Sequence, residues 1–446
     1  MKKKAPELIS NHHHDTLLFP SQFLWGAATS AHQIEGDNKH NDWWEWEKKK
    51  FRKDKNKQSG RAAGHYTRYK TDIKLVADFG HNAHRFSIEW SRVEPECGTW
   101  DELAIRHYKQ VLQELKKYNI TTMVTLHHFT TPLWLTKRGG WVNRRSPYYF
   151  ERYAMKMHEA FDGLVDFWIT INEPMIYVSN SFMQGMWPPQ KKSVFKARRV
   201  LINMVKAHKR VWRSMTNRCH RGDQPCPKIG IAQNIFDFHS YNLYTITDYL
   251  IIRFLHWAVN IRFLKKIKRH MNFIGVNYYF HTRIRRSKKG FFKLETIDIR
   301  EEDREASDMN WEVYPQGIFE ALLALRHFKM PVYVTENGIA TTNDHKRIRF
   351  LIGHLKEVYH AIQAGVDVQG YFYWSLLDNF EWDKGFWPRF GLVEVDYRTL
   401  KRTPRQSALV YKKICTENGI AHELLRFVGH GVRWNEDDRR ATCVYE

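Results

Sequence analysis

The 446-residue sequence is 43% apolar and 15% aromatic, enough for a large core, and its length fits one large α/β barrel domain. The formal charge of +23 can attract nucleic acid, anionic lipid or an acidic substrate. The basic residues read as scattered, with local clusters at Lys48–Lys50, Lys196–Arg199, Lys265–Arg269 and Arg283–Lys289 and no nucleic-acid-binding motif beside them, so a solvated basic surface is expected and no specific nucleic-acid partner.

The opening, MKKKAPELISNHHHD, has a charged end but no apolar h-region, which predicts a cytoplasmic protein without a secretory signal. His12–His14 read as a solvated tail. The five cysteines (Cys97, Cys219, Cys226, Cys415, Cys443) are dispersed without a CxxC pair, so no metal and no cofactor is expected. No apolar run reaches the ~20 residues of a membrane span. The nearest, Tyr249–Arg269, is interrupted by arginines and lysines; an outer helix with a basic face is preferred to an interfacial membrane helix.

Along the chain, residues 1–18 read as a tail, 19–420 as one folded unit and 421–446 as a charged extension. Within the unit, eight β-rich segments are separated by helical stretches. They are FLWGAAT from Phe23, AHRFSI from Ala83, TTMVTLH from Thr121, DFWITIN from Asp166, KIGIAQN from Lys228, FIGVNYY from Phe273, PVYVTEN from Pro331 and GYFYWSL from Gly370. Most are continuous apolar runs, as strands buried on both faces should be. Between them, Leu103–Asn119 and Arg347–Gly365 show amphipathic helical patterns, the second ending on a glycine suited to a C-cap. Eight strand–helix units without a dividing linker predict a single (β/α)8 TIM barrel.

Polar groups stand at the C-terminal ends of these runs: Arg85, His128, Asn172 with Glu173, Asn234, Asn277 with Tyr279, Glu336, and then Trp374. That end of a TIM barrel builds the active site. Glu173 and Glu336 follow the fourth and seventh strands, from which two carboxyls can face each other across a small barrel. Two such groups suit glycoside cleavage, one protonating the departing oxygen and the other working at the opposite face of the anomeric carbon. The competing reading is that each glutamate merely caps the helix that follows. The 17 tryptophans suit either a large aromatic core or platforms for sugar rings.

From about Phe19 to about Ile420 the chain resembles glycoside hydrolase family 1, the β-glucosidase family, through FLWGAATSAHQIEG, HRFSIEWSR, the NEP at Glu173, FIGVNYY, the TENG at Glu336 and GYFYWSLLDNFEW. The resemblance implies a retaining exo-β-glycosidase acting on a small-molecule or oligosaccharide β-glycoside. Glu336 would be its nucleophile and Glu173 its acid/base. Arg85 would keep Glu336 ionised, Tyr279 would orient it, Asn172 would hold the sugar 2-hydroxyl, and Asn277 would support the site. Gln33, His128, Glu381 and Trp382 match glycone-binding positions, with Trp374 as floor and Trp311 as aglycone platform. Glu381 would repel a phosphate dianion, so a neutral glucoside, galactoside or fucoside is expected. The same two glutamates could serve a transglycosylase, and a sugar-binding pseudoenzyme is the reading from another class.

TENGIA occurs twice; the copy at Thr416–Ala421 follows a helical pattern, so Glu417 reads as a surface residue and Gly419 as a helix C-cap. His127 and His128 are adjacent, so only one can reach the site. His65 and His208 read as helix-packing groups. Three features depart from the family pattern: HHFTTP around His128, a short basic segment Phe236–Met271, and the extension after Ala421.

Overall fold

A computed structural model describes residues 16–219, 226–240, 246–286, 294–296 and 304–429. His12–His14, part of the Arg283–Lys289 cluster and residues 430–446 of the expected extension lie outside them. The eight expected strands form one closed barrel, and every neighbouring pair is parallel. They are β1 Leu24–Ala28, β2 Ala83–Ser87, β3 Thr121–His127, β4 Phe167–Asn172, β5 Lys228–Asn234, β6 Phe273–Asn277, β7 Val332–Asn337 and β8 Val368–Trp374. The fold is the expected (β/α)8 barrel.

Both strand faces are buried, which is why the segments read as unbroken apolar runs. Met123, Phe167, Ile169, Phe273, Tyr333 and Phe372 fill the interior as one cluster. Gly26 is required where β1 meets β2: a Cβ there would lie 2.4 Å from the Ala83 carbonyl oxygen and 2.9 Å from the Phe372 ring. Outside, α1 Glu102–Lys117 starts on Asp101, whose carboxylate accepts from the Leu103 and Ala104 amides. Its Ile105, Tyr108, Val111, Leu112 and Leu115, at helical spacing, are buried against the barrel.

The C-terminal ends of the strands are irregular where the site residues stand. Register shifts between Ile169 and Asn172 on β4, and between Val334 and Glu336 on β7. Such bulges re-aim side chains beside active sites. At the other end of the barrel, Leu17–Leu18 pair antiparallel with Gly419–Ile420. The helix before that pair, Gln406–Glu417, ends on Asn418 in the left-handed conformation (φ 50), and Gly419 begins the strand. The expected cap at Gly419 is therefore corrected to Asn418, whose side chain also bonds Trp25 Nε1 at 2.8 Å. Cys226 is disulfide-bonded, a bond that a reducing cytoplasm disfavours, while Cys97 and Cys415 are free thiols. Among the described residues no helix is long and apolar enough to cross a membrane.

Candidate active site

Glu173 directly follows β4 with φ 43 and ψ 61, a conformation that few non-glycine residues adopt. Its amide donates to the Ala232 carbonyl at 2.8 Å, and Pro174 starts the next helix, Pro174–Val178. The side chain makes no cap hydrogen bond, which removes the helix-cap reading for this residue. It accepts instead from Asn277 Nδ2 at 2.9 Å and from Asn234 Nδ2 at 3.3 Å. Burial, and then the nearby Glu336 charge, push this carboxyl up to about 8; the two amides and Arg85 only partly oppose the shift.

Glu336 is held differently. Arg85 Nη1 donates to its Oε1 at 2.6 Å and Tyr279 Oη to its Oε2 at 2.6 Å. Arg85 is locked along its whole fork: Nη2 donates to Asn172 Oδ1 at 2.7 Å, Nε to Thr125 Oγ1 at 3.2 Å, and Nη1 also to the Thr335 carbonyl at 2.9 Å. Burial, followed by the charges of Glu336 and Glu173, drives the Tyr279 phenol well above its ordinary range, so it remains a donor. Asn277 donates to Asn172 Oδ1 at 3.1 Å, and its own Oδ1 accepts from Thr335 Oγ1 at 2.7 Å. One bonded network thus joins both carboxyls. Thr125 and Thr335 join this network without a signal of their own in the sequence, because a threonine on a strand does not advertise an inward, bonded position.

The other side of the site is aromatic. The His128 ring lies near-parallel to Trp374 at 5.9 Å and to Trp382 at 6.0 Å. Burial holds His128 well below its ordinary pKa, with Arg85 adding to the effect, so the neutral imidazole Nε2 can accept from Asn172 Nδ2 at 3.3 Å. His127 faces elsewhere and accepts from the Trp141 indole at 3.1 Å. In HHFTTP, Phe129 packs on Trp382 at 5.2 Å, and Thr130 donates to Glu89. Gln33 donates to the Phe380 carbonyl at 2.9 Å, to Asn379 at 3.0 Å and to Glu381 at 3.3 Å. Trp311 stacks on Phe280 at 4.8 Å and lies 5.7 Å from Tyr279, half-exposed beside the Glu336 partner.

Glu381 differs from expectation in its charge. Burial first, then Asp383, Glu336 and Glu173, push its carboxyl up to about 8. At neutral pH it is largely protonated, so it cannot repel a phosphate as a full anion. What remains against a phosphate is the company it keeps, the carboxyls of Asp383 and Glu336.

The other expectations sort plainly. Glu417 is exposed on the surface, 3.8 Å from Lys413. His65 bonds Asp72 at 2.8 Å, and His208 bonds Thr170 at 2.7 Å; both are packing groups. One cluster escaped the sequence because it joins two strands: Asp237, His239 and His281 bring potential ligand atoms within 4.8 Å of one another. Its members already have partners, Asp237 with His239 at 2.9 Å and His281 with Glu312 at 2.8 Å. A cavity of ≈950 Å³ opens at the N-terminal ends of the strands, lined by Leu24, Thr121, Lys228 and Val368 among others, and no site carboxyl reaches it. The candidate site lies at the opposite end, the end at which TIM barrels build their active sites.

The sequence matches glycosyl hydrolase family 1 over residues 15–237 and 257–420. It is 32% identical to β-glucosidase A of Thermotoga maritima, over 90% of this chain and 98% of that protein. It is 29% identical to a β-galactosidase of Pyrococcus woesei, over 92% and 100%. The solved β-glycosidase of Pyrococcus horikoshii superposes with a TM-score of 0.85 at 40% identity, covering 93% of this chain and 98% of that one. The family match runs through both carboxyl-bearing strands and the motifs around them, so the chain belongs to glycosyl hydrolase family 1 and is a glycosidase.

Proposed function

We propose that the chain is a retaining exo-β-glycosidase for terminal, non-reducing, unphosphorylated β-D-glycosides, with glucosides as its main substrates. The observation that carries this reading is the contrast between its two buried glutamates. Glu173 is pushed up to about 8 and so holds a proton at neutral pH, whereas Glu336 is gripped by a guanidinium and a phenol. In the first step a Glu336 oxygen bonds the anomeric carbon, the glycosidic C–O bond breaks, and the Glu173 proton passes to the leaving oxygen. Esterification removes the Glu336 charge, one of the two influences that raise Glu173. Glu173 then becomes the stronger acid and its carboxylate can deprotonate the water that cleaves the ester. Asn172, held by hydrogen bonds from both Arg85 and Asn277, would bind the sugar 2-hydroxyl. The His128, Trp374 and Trp382 rings, with Gln33 and Glu381, supply stacking and hydrogen bonds for the glycone.

Relatives named both β-glucosidase and β-galactosidase favour galactosides as an alternative glycone, with fucosides a further alternative from the family resemblance. The stacked Trp311 and Phe280 favour a second reading, glycosyl transfer to an alcohol resting on that apolar wall.

The test is Glu336→Ala. Turnover of an activated aryl β-glucoside should vanish, and added azide should restore it with an α-glycosyl azide as product. Near-normal hydrolysis by the variant would defeat the assignment. A panel of aryl β-glycosides, including a 6-phosphoglucoside, ranks the sugars, and an added alcohol acceptor measures transfer.

A further inference from the structure

The positive charge is not spread along the chain. Residues 174–294 contain 24 of the 71 Lys and Arg but only three of the 48 Asp and Glu, so this stretch carries +21 of the net +23. It comprises the segments that follow β4, β5 and β6, the first of which begins directly after Glu173. The scattered basic surface expected above is thus corrected to one strongly segregated sector.

The same sector displays its apolar side chains outward. The helix Ile246–Leu255 continues into a wider turn, His256–Ile261, and then into Arg262–Ile267. The last part behaves as expected of an outer helix: Phe263, Leu264 and Ile267 are buried while Lys265 and Lys266 are exposed. The first part is inverted. It buries Asp248 and exposes Ile246 (79%), Tyr249, Leu250, Phe254 (61%) and Trp257, spaced to fall along one helical face. On the neighbouring segment after β4, Met183, Met186, Val194 and Phe195 (87%) are exposed too, followed by Lys196 and Arg198.

A soluble surface rarely exposes an apolar stripe without an occupant. We propose that this sector docks on an anionic lipid surface, its apolar stripe entering the headgroup boundary and its lysines and arginines pairing with the headgroups. An outward face of Ile, Leu and Phe with Tyr and Trp, bordered by basic residues and lacking acids, is the chemistry of a helix that lies in a bilayer interface. Basic residues next to such a helix add attraction to acidic lipids that salt weakens. Nucleic acid would use the charge but leave the aliphatic side chains in water, so lipid is favoured. The docked helix follows β5, whose Asn234 bonds Glu173, so docking sets the C-terminal mouth of the barrel beside the lipid.

The full chain is mixed with phosphatidylcholine vesicles, with vesicles also containing phosphatidylserine, and with a DNA duplex, and the bound fraction is measured by flotation or, for DNA, by gel shift. Binding is expected on the phosphatidylserine vesicles, weaker on phosphatidylcholine alone, and reduced by added salt. Phe254→Glu with Trp257→Glu should lower the bound fraction roughly tenfold by removing the inserted groups. Both sites are exposed, and an unchanged melting temperature shows that the variant is folded. The proposal fails if the parent does not float with anionic vesicles or if the double variant floats equally well. It fails equally if DNA is bound as tightly as the anionic vesicles and the two substitutions leave that binding intact.

Discussion

Glu173 pays for its position with backbone strain. A non-glycine residue in the left-handed region costs about 1–3 kcal/mol. It is held there by the Ala232 carbonyl and by the proline that follows, and the result is a carboxyl aimed at Asn277 and Asn234 instead of at its own helix. Glu173→Gln keeps that shape but removes the proton. Hydrolysis of glucosides with poor leaving groups should fall by about 10²–10⁴-fold, while a dinitrophenyl glucoside, which needs no protonation, should lose far less in the first step. Values of kcat/KM, which report the first step alone, check this across a leaving-group series. In the parent, the protonated form is lost as pH rises through about 8, so the poor-leaving-group rate should fall on that alkaline side. Residue type was readable in the sequence for each of these groups, but burial was not. Glu381 shows the cost: read as an anion, it stands in surroundings that keep it protonated at neutral pH.

At the scale of elements, the barrel strands were legible because burial on both faces leaves an unbroken apolar run, and Val332–Asn337 or Phe167–Asn172 stand out from the amphipathic helices between them. Contacts between distant elements were not. Nothing local in Asp237 or His281 tells that their strands pair, and nothing in Tyr249–Arg269 tells which part turns its apolar face outward. Asn418 is a sharper case. As the third residue of the second TENGIA it carries no local signal, yet it caps its helix with a left-handed backbone. Its side chain accepts from Trp25 Nε1 and donates to the Phe19 and Pro20 carbonyls at 2.8 and 3.1 Å, tying the two ends of the folded unit together. Asn418→Ala loses those bonds and places a Cβ-bearing residue in an unfavourable region. It should cost about 2–4 kcal/mol, and Asn418→Gly roughly 1 kcal/mol less because the backbone is relieved. Urea unfolding of the two variants measures the difference, and glycosidase activity below the transition should match the parent, since the site lies at the far end of the barrel.

Over the whole molecule, buried titratable groups set how stability depends on pH. His32, His81, His84, His107, His127 and His354 are held by burial at about 3, and His208 at about 4, against an ordinary value of 6.5. As pH falls below 6.5 the unfolded chain takes up these protons and the folded one does not, so stability is lost. The carboxyls act in the opposite sense. Asp42, Glu173 and Glu381 are raised to about 8, and Glu47 and Glu89 to about 7, chiefly by burial. As pH rises above the ordinary carboxyl range of 3.8–4.5, the unfolded chain releases these protons while the folded one keeps them until about 8, and stability again declines. Between 4.5 and 6.5 the two sets compete, and the histidines are more numerous; above 6.5 only the carboxyls act. The melting temperature should therefore peak at about pH 6, fall steadily toward pH 8, and fall more steeply on the acid side below 4.5, where the histidines are joined by Glu312, held at about 2, and by the lowered Asp72 and Asp344. Calorimetric scans between pH 4 and 9 at constant ionic strength read this profile. A melting temperature still rising from pH 6.5 to 8 would mean that the buried carboxyls are ionised in the folded chain, Glu173 among them.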